Sequence, residues 1–165
     1  MTDDAWGPLR LLVGNWTGTG EGESGLSTVA RAYQFVLGDR FLEARNRSVY
    51  ALQEKNPKGE THEDLGLFSY DKARGQFVLR QFHVEGFVNQ YLGGKPSAEG
   101  EPLCLTTEAI ENIAAGWQAR ETYTVLGPDE FVEVFELAPP DGEFALYSES
   151  HLKRISVPGN LSHLG

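Results

Sequence analysis

The chain has 165 residues, of which 14 are Lys or Arg and 24 are Asp or Glu, for a formal net charge of −10. One domain is expected at this length, and the 40% of hydrophobic residues can form a core. The acidity argues against a nucleic-acid partner, because phosphate backbones bind basic surfaces. The single cysteine, Cys104, excludes an internal disulfide framework.

The N-terminus, Met-Thr-Asp-Asp, lacks the basic flank and apolar centre of a signal peptide. No apolar run approaches the roughly 20 residues that a membrane-spanning helix needs. We therefore expect a cytoplasmic protein without a membrane span.

A short helix is predicted before Gly14, with Asp4 as its cap. Its expected apolar stripe consists of Trp6, Leu9, Leu11, Leu12 and Val13. From Gly14 onward, turn-forming residues recur at short intervals, and the segments between them are rich in β-branched and aromatic residues. Ten strands are predicted, at 14–21, 28–37, 40–52, 62–71, 75–83, 86–92, 102–110, 117–126, 130–138 and 143–155.

The connections between these strands are too short for crossover helices, so each strand is expected to pair with its neighbour in the chain. The predicted fold is all-β: a single antiparallel up-and-down β-barrel of about ten strands, with the short N-terminal helix closing one end. Residues 1–155 form this domain, and residues 156–165 are predicted to be a loosely held C-terminal tail.

Two predicted strands mix apolar and charged residues on one face. Phe131, Glu133 and Phe135 share a face of the ninth strand, and Glu121 and Tyr123 share a face of the eighth. A fully packed apolar core would give cleaner alternation. The pattern therefore favours a partly polar barrel interior that holds a ligand.

The most distinctive motif is Leu-Val-Gly-Asn-Trp-Thr-Gly-Thr-Gly-Glu-Gly at residues 12–22. Its alternating glycines leave one strand face bare, which is typical of a close crossing by a neighbouring strand. The glycine-x-tryptophan in it is shared by lipocalins and fatty-acid-binding proteins. In this longer form, and together with residues 59–66, 75–87 and 150–154, it resembles the nitrobindin family of ten-stranded haem-binding barrels. The stretches at 37–42 and 70–71 also resemble a lipocalin-like family of unassigned function.

The nitrobindin resemblance implies that His151 is the proximal ligand of a haem iron and that His62 lies toward the opposite haem face. Haem b would then be the cofactor, with nitric-oxide binding or peroxynitrite isomerisation as its chemistry. The candidate apolar walls are Trp117, Phe131, Phe135, Tyr147 and Phe82.

The phase of the last predicted strand opposes this assignment. Phe144, Leu146 and Leu152 share one face, whereas His151 lies on the other face with Tyr147. If the apolar face points inward, His151 faces solvent, unless a bulge near residues 148–150 reverses the phase.

The alternative ligand is a fatty acid or another amphiphile, whose carboxylate an inward arginine would bind in a bidentate manner. The candidate pairs are Arg120 with Tyr123 and Arg154 with Tyr147. The two members of each pair have opposite parity along their strand, so a neighbouring strand must supply one partner. Such a carrier would have no catalytic activity.

Conventional catalysis is not expected, because no nucleophile elbow precedes a helix. Metal binding by His62, His83 and a carboxylate is not favoured either, because the paired ligand spacing of zinc sites is missing. Iron in haem, held by His151, is the only metal assigned from the sequence. The expected partners are therefore a small hydrophobic ligand or haem. The sequence is also compatible with a homodimer.

Overall fold

Ten antiparallel strands close into one barrel, as the turn pattern predicts. The computed structural model describes residues 4–96, 98 and 100–156, and within them each strand pairs with its neighbours in chain order while β1 pairs with β10. The all-β barrel prediction is therefore confirmed. The elements are α1 Gly7–Arg10, β1 Gly14–Gly22, β2 Gly25–Val36, β3 Phe41–Tyr50, β4 Glu60–Asp71, β5 Gln76–His83, β6 Val88–Gly94, β7 Leu103–Glu111, β8 Gln118–Gly127, β9 Glu130–Ala138 and β10 Ala145–Arg154.

The glycines of β1 allow the first and last strands to approach closely where the barrel closes. Gly18 pairs with Leu152, and Gly22 pairs with Ser148. A Cβ atom on Gly18 would overlap the carbonyl group of His151 and lie 3.1 Å from the Cα atom of Leu152. The bare strand face thus serves the closure of the barrel.

Helix α1 covers one end of the barrel, which we call the helix end. Leu9 and Leu12 are fully buried in the core, and the Trp16 indole N–H donates to the Leu12 carbonyl oxygen at 2.8 Å. The predicted apolar stripe is too wide, because Leu11 and Val13 are exposed at the surface. The predicted cap is also corrected: the N-cap residue is Trp6, and Asp4 accepts hydrogen bonds from the Trp6 amide and the Arg10 guanidinium.

The apolar core fills the half of the barrel nearest the helix end. Its largest fully buried side chains are Trp16, Tyr33, Phe68, Phe77, Tyr91 and Phe131. The opposite end, which we call the cavity end, carries the inward polar residues that the mixed faces of β8 and β9 predict. Burial of the apolar side chains stabilises the helix-end half by roughly 1.5–3 kcal/mol for each large residue.

No helix among the residues that the structure describes is long and apolar enough to cross a membrane. The last strand of the barrel ends at Arg154. The predicted tail begins at Ser156, and its remaining residues, 157–165, lie outside the described residues.

Candidate functional site

A cavity of about 470 Å³ occupies the cavity end of the barrel. This volume lies in the range typical of small-molecule sites. Six carboxyl side chains, one arginine and two histidines line it, together with several apolar residues. The charged and imidazole members are Glu21, Glu60, Asp64, Glu85, Glu121, Glu133, Arg31, His62 and His83.

The floor of the cavity is polar and rests on the apolar core; we call Arg31, Glu121 and Glu133 the polar floor. Arg31 forms a buried ion pair with Glu133, and their side chains are only 7% and 12% exposed. The Arg31 guanidinium also donates to Asn46 Oδ1 at 2.9 Å and to the Tyr33 hydroxyl at 3.3 Å. These contacts engage the guanidinium donors of Arg31 inside the protein. Its positive charge is therefore balanced by Glu133, and its position is fixed.

Glu121 is the second acidic residue of the floor and is almost completely buried. Its burial and the negative charge of Glu133 raise the pKa of the Glu121 carboxyl well above the usual range. The Tyr123 hydroxyl donates to Glu121 Oε2 at 3.2 Å. We infer that Glu121 keeps its proton to a higher pH than an exposed carboxyl group does.

The raised pKa of Glu121 predicts a pH dependence of stability. The unfolded carboxyl ionises near its usual pKa of 4.5, whereas the folded carboxyl releases its proton only at a higher pH. The native state therefore binds more protons, and the free energy of unfolding falls as the pH rises. Glu121→Gln should remove this contribution, so the variant should gain about 1–3 kcal/mol relative to wild type between about pH 5 and pH 7. Urea unfolding of both proteins at pH 5 and at pH 7 measures this difference in the free energy of unfolding. A difference that does not change with pH would contradict the raised pKa of Glu121.

One wall of the cavity carries His62 and Asp64 on β4 and His83 at the end of β5. Asp64 and His83 are cross-strand register partners. Although burial opposes the charged form, hydrogen bonds to Asp64 and Glu85 raise the pKa of His62 to about 9. Burial lowers the pKa of His83, so that this imidazole is neutral.

The wall formed by β6 to β9 is mostly apolar. Ile110 and Ile113 lie at the end of β7 and just beyond it, and Phe135 and Leu137 project from β9. Phe135 contacts Tyr147 edge to face, with ring centroids 5.6 Å apart. An apolar wall therefore faces a polar wall across one cavity.

His151 lies on the outer surface, which corrects its assignment as an inward haem ligand. Its side chain is 55% exposed, and its Nε2 lies 2.8 Å from Glu149 Oε1. The register of β10 does shift between Leu146 and Ser148, but this irregularity precedes residues 148–152. Tyr147, Ser148 and Ser150 therefore all line the cavity. Beyond the irregularity the alternation is regular, so Leu152 points inward and is buried while His151 points outward.

The two candidate arginine anchors also lie outside the cavity. Arg120 pairs with Glu136 on the outer face of the sheet, at 2.8 Å, and stacks on Phe144. Arg154 lies at the helix end, where it binds Asp129 and stacks on Trp16. The predicted pairs Arg120 with Tyr123 and Arg154 with Tyr147 are therefore not formed.

Some of the other residues predicted from the sequence line the cavity, and the rest do not. Tyr147, Phe135 and His62 line the cavity. Phe131 and Tyr123 are buried in the core beneath it, Phe82 is exposed, and Trp117, just before β8, is not among the lining residues.

These residues do not fit the haem site that the family resemblance implies. A haem iron needs a ring nitrogen in an apolar slot, and His151 offers none to the interior. Both ring nitrogens of His62 contact carboxylates, at 2.7 Å from Glu85 and 3.2 Å from Asp64. The floor between the walls is charged.

Sequence reasoning missed Arg31, Asp64 and the position of His83. Arg31 stands between Val29 and Tyr33 on the inward face of β2. A lone charge on an apolar face is a signal for a buried ion pair, and Glu133 lies on such a face of β9, between Phe131 and Phe135. Asp64 and His83 become neighbours only through the β4–β5 register.

Comparison with known proteins gives a structural likeness. No family model and no curated protein matches the chain. The crystal structure of Rv2717c from M. tuberculosis is similar, with a TM-score of 0.73 and 18% identity over 93% of this chain and 99% of that chain. A de novo designed fluorescence-activating β-barrel gives a TM-score of 0.47 and 14% identity over 94% of this chain and 100% of its own. At these identities the likeness to Rv2717c shows a shared ten-stranded barrel fold.

Proposed function

We propose that the protein binds a small amphipathic molecule in the cavity, with a cationic or hydrogen-bond-donating end toward the acidic groups. The observation that carries this proposal is the opposition of two walls, one apolar and one rich in carboxylates. An apolar segment of the ligand would pack against Ile110, Phe135 and Leu137. An ammonium or hydroxyl group would then reach Asp64, Glu85 or Glu60.

The electrostatics of the cavity favour a cation over an anion. Carboxyl groups outnumber the cationic side chains among the lining residues. A ligand carboxylate would have to displace Glu133 from Arg31, because that guanidinium is already engaged with Glu133, Asn46 and Tyr33. The fatty-acid carrier is therefore less favoured than an amine-bearing amphiphile, and haem is not proposed because His151, the axial ligand that the resemblance implies, lies outside the cavity.

Calorimetric titration with octylamine, octanol and octanoate tests the proposal, because the three share one chain and differ in the head group. We expect octylamine to bind at least about tenfold more tightly than octanoate, a difference of about 1.4 kcal/mol. Phe135→Ala should weaken octylamine binding about tenfold through lost apolar contact.

Phe82→Ala is the matched control, since Phe82 is an exposed phenylalanine that does not line the cavity. It should leave the affinity unchanged. Tighter binding of octanoate than of octylamine would overturn the preference for a cation. An equal loss in both phenylalanine variants would place the ligand outside the cavity.

A further inference from the structure

Three potential metal ligands meet on the polar wall of the cavity; we call His62, Asp64 and His83 the histidine–aspartate cluster. His62 and Asp64 are two residues apart on β4, so their side chains share the inward face. His83 lies opposite Asp64 on β5. One ligand atom from each residue lies within 4.8 Å of the others.

The spacing within the cluster suits a small divalent ion. His62 Nε2 and Asp64 Oδ2 are 3.2 Å apart, and the rings of His62 and His83 have centroids 5.5 Å apart. Nitrogen and oxygen ligands at about 2.0–2.2 Å from a tetrahedral zinc ion lie roughly 3.3 Å from one another. The first pair already has this separation, and a modest movement of His83 would complete a three-ligand set.

Outer contacts orient these groups in the manner of a metal site. Glu85 Oε1 lies 2.7 Å from His62 Nδ1, which directs Nε2 toward the cluster. The side-chain amides of Asn46 and Gln81 each donate to Asp64 at 3.0 Å. Carboxylates behind a ligating histidine and donors to a ligating carboxylate are the usual second layer of such sites.

A buried ion pair alone accounts for only part of this arrangement. Protonated His62 between Asp64 and Glu85 would satisfy those three residues. It leaves His83 Nε2 and Gln81 Oε1 buried without a hydrogen-bond partner among the described residues. Gln81 Oε1 is an electron-pair donor, as is His83 Nε2 in the tautomer that carries its proton on Nδ1, and leaving such atoms unsatisfied is costly. A metal ion at the cluster would use His83 Nε2 as a ligand, and Gln81 Oε1 lies on the same wall of the cavity.

We propose that His62, Asp64 and His83 bind one divalent transition-metal ion of the Zn²⁺ class, with its remaining coordination positions open to the cavity. Two imidazoles and one carboxylate are a ligand set that such ions accept, and open positions distinguish sites that also bind a small molecule. This inference is independent of the proposed amphiphile, because the ion would bind in its absence.

The test uses Co²⁺ as a spectroscopic probe and Zn²⁺ as a competitor, on full-length protein treated with a chelator and freed of any affinity tag. We expect one equivalent of Co²⁺ to give visible absorption bands of low-coordinate nitrogen and oxygen ligation, and one equivalent of Zn²⁺ to abolish them. His83→Gln should weaken Zn²⁺ binding at least about tenfold, and Glu85→Gln about 10–100-fold.

His151→Gln is the matched control, because His151 also lies beside a carboxylate but on the outer surface. It should leave both the Co²⁺ spectrum and the Zn²⁺ affinity unchanged. His83→Gln is the decisive variant, because His83 Nε2 makes no hydrogen bond to any of the described residues whose loss would unfold the protein. Far-UV circular dichroism checks that each variant is folded.

Absence of stoichiometric Co²⁺ or Zn²⁺ binding by the wild type would overturn the proposal. Unchanged affinity in folded His83→Gln would overturn it as well, as would an equal loss in His151→Gln. Zn²⁺ binding without octylamine binding would support the metal site and reject the amphiphile. The reverse result would reject the metal site alone.

Discussion

Arg31→Met should lower the free energy of unfolding by about 3–5 kcal/mol, because it leaves the Glu133 carboxylate buried without its partner. The substitution also removes the hydrogen bonds to Asn46 and Tyr33. Urea unfolding followed by tryptophan fluorescence measures the change.

Two further variants separate the buried charge from the general loss of an arginine. Arg31→Met combined with Glu133→Leu should recover most of the lost stability, because no unpaired charge remains. Arg120→Met removes a half-buried ion pair on the outer face and should cost no more than about 1 kcal/mol. Equal losses in Arg31→Met and Arg120→Met would contradict the buried ion pair in the floor.

Gly18→Ala should destabilise the barrel by about 2 kcal/mol or more, because the new methyl group would overlap the backbone of β10. The nearest atoms belong to the main chain at His151 and Leu152, so no side-chain rotation can relieve the overlap. The strands that close the barrel would have to separate. The urea unfolding midpoint reports this loss directly.

Gly94→Ala provides the control, because Gly94 also lies in a strand and a Cβ atom there meets nothing within 4 Å. Its stability should change by less than about 0.5 kcal/mol, as is usual for surface positions. A neutral Gly18→Ala would show that β1 and β10 are farther apart than the pairing of Gly18 with Leu152 requires.

The barrel could be predicted because each of its turns is marked by a short local stretch of turn-forming residues. Glycine, proline, asparagine and aspartate mark the hairpins, and turn geometry fixes which strands are neighbours. The observed strands start and end within a few residues of the predicted ones. The N-terminal helix was less predictable, because only Leu9 and Leu12 of its apolar residues reach the core cluster as fully buried side chains.

The orientation of β10 could be predicted only in part. Simple alternation places Leu146 and Leu152 on one face, yet Leu146 is 53% exposed and Leu152 is fully buried. The register shift at Tyr147 separates them. A single extra residue in a strand has no sequence marker of its own, so the direction of His151 had to come from the structure.

The candidate site depends on contacts between strands, which periodicity does not reveal. The mixed faces of β8 and β9 predicted a polar interior, but its arginine comes from β2 and its histidines from β4 and β5. The sequence lacks the close spacing of ligands that is typical of zinc sites, because His62 and His83 lie on two different strands and meet only across the β4–β5 hairpin. Only the register brings them beside Asp64.

The most direct test of the ligand-binding account is a map of backbone amide chemical shifts during titration with octylamine. We expect the shifts to cluster on residues that line the cavity, such as Ser48, Gln81, Ile110, Leu137 and Ser150. Amides at the helix end, such as those of Leu9 and Trp16, should stay unchanged. Shifts confined to the outer face, or no shifts at millimolar octylamine, would contradict the account.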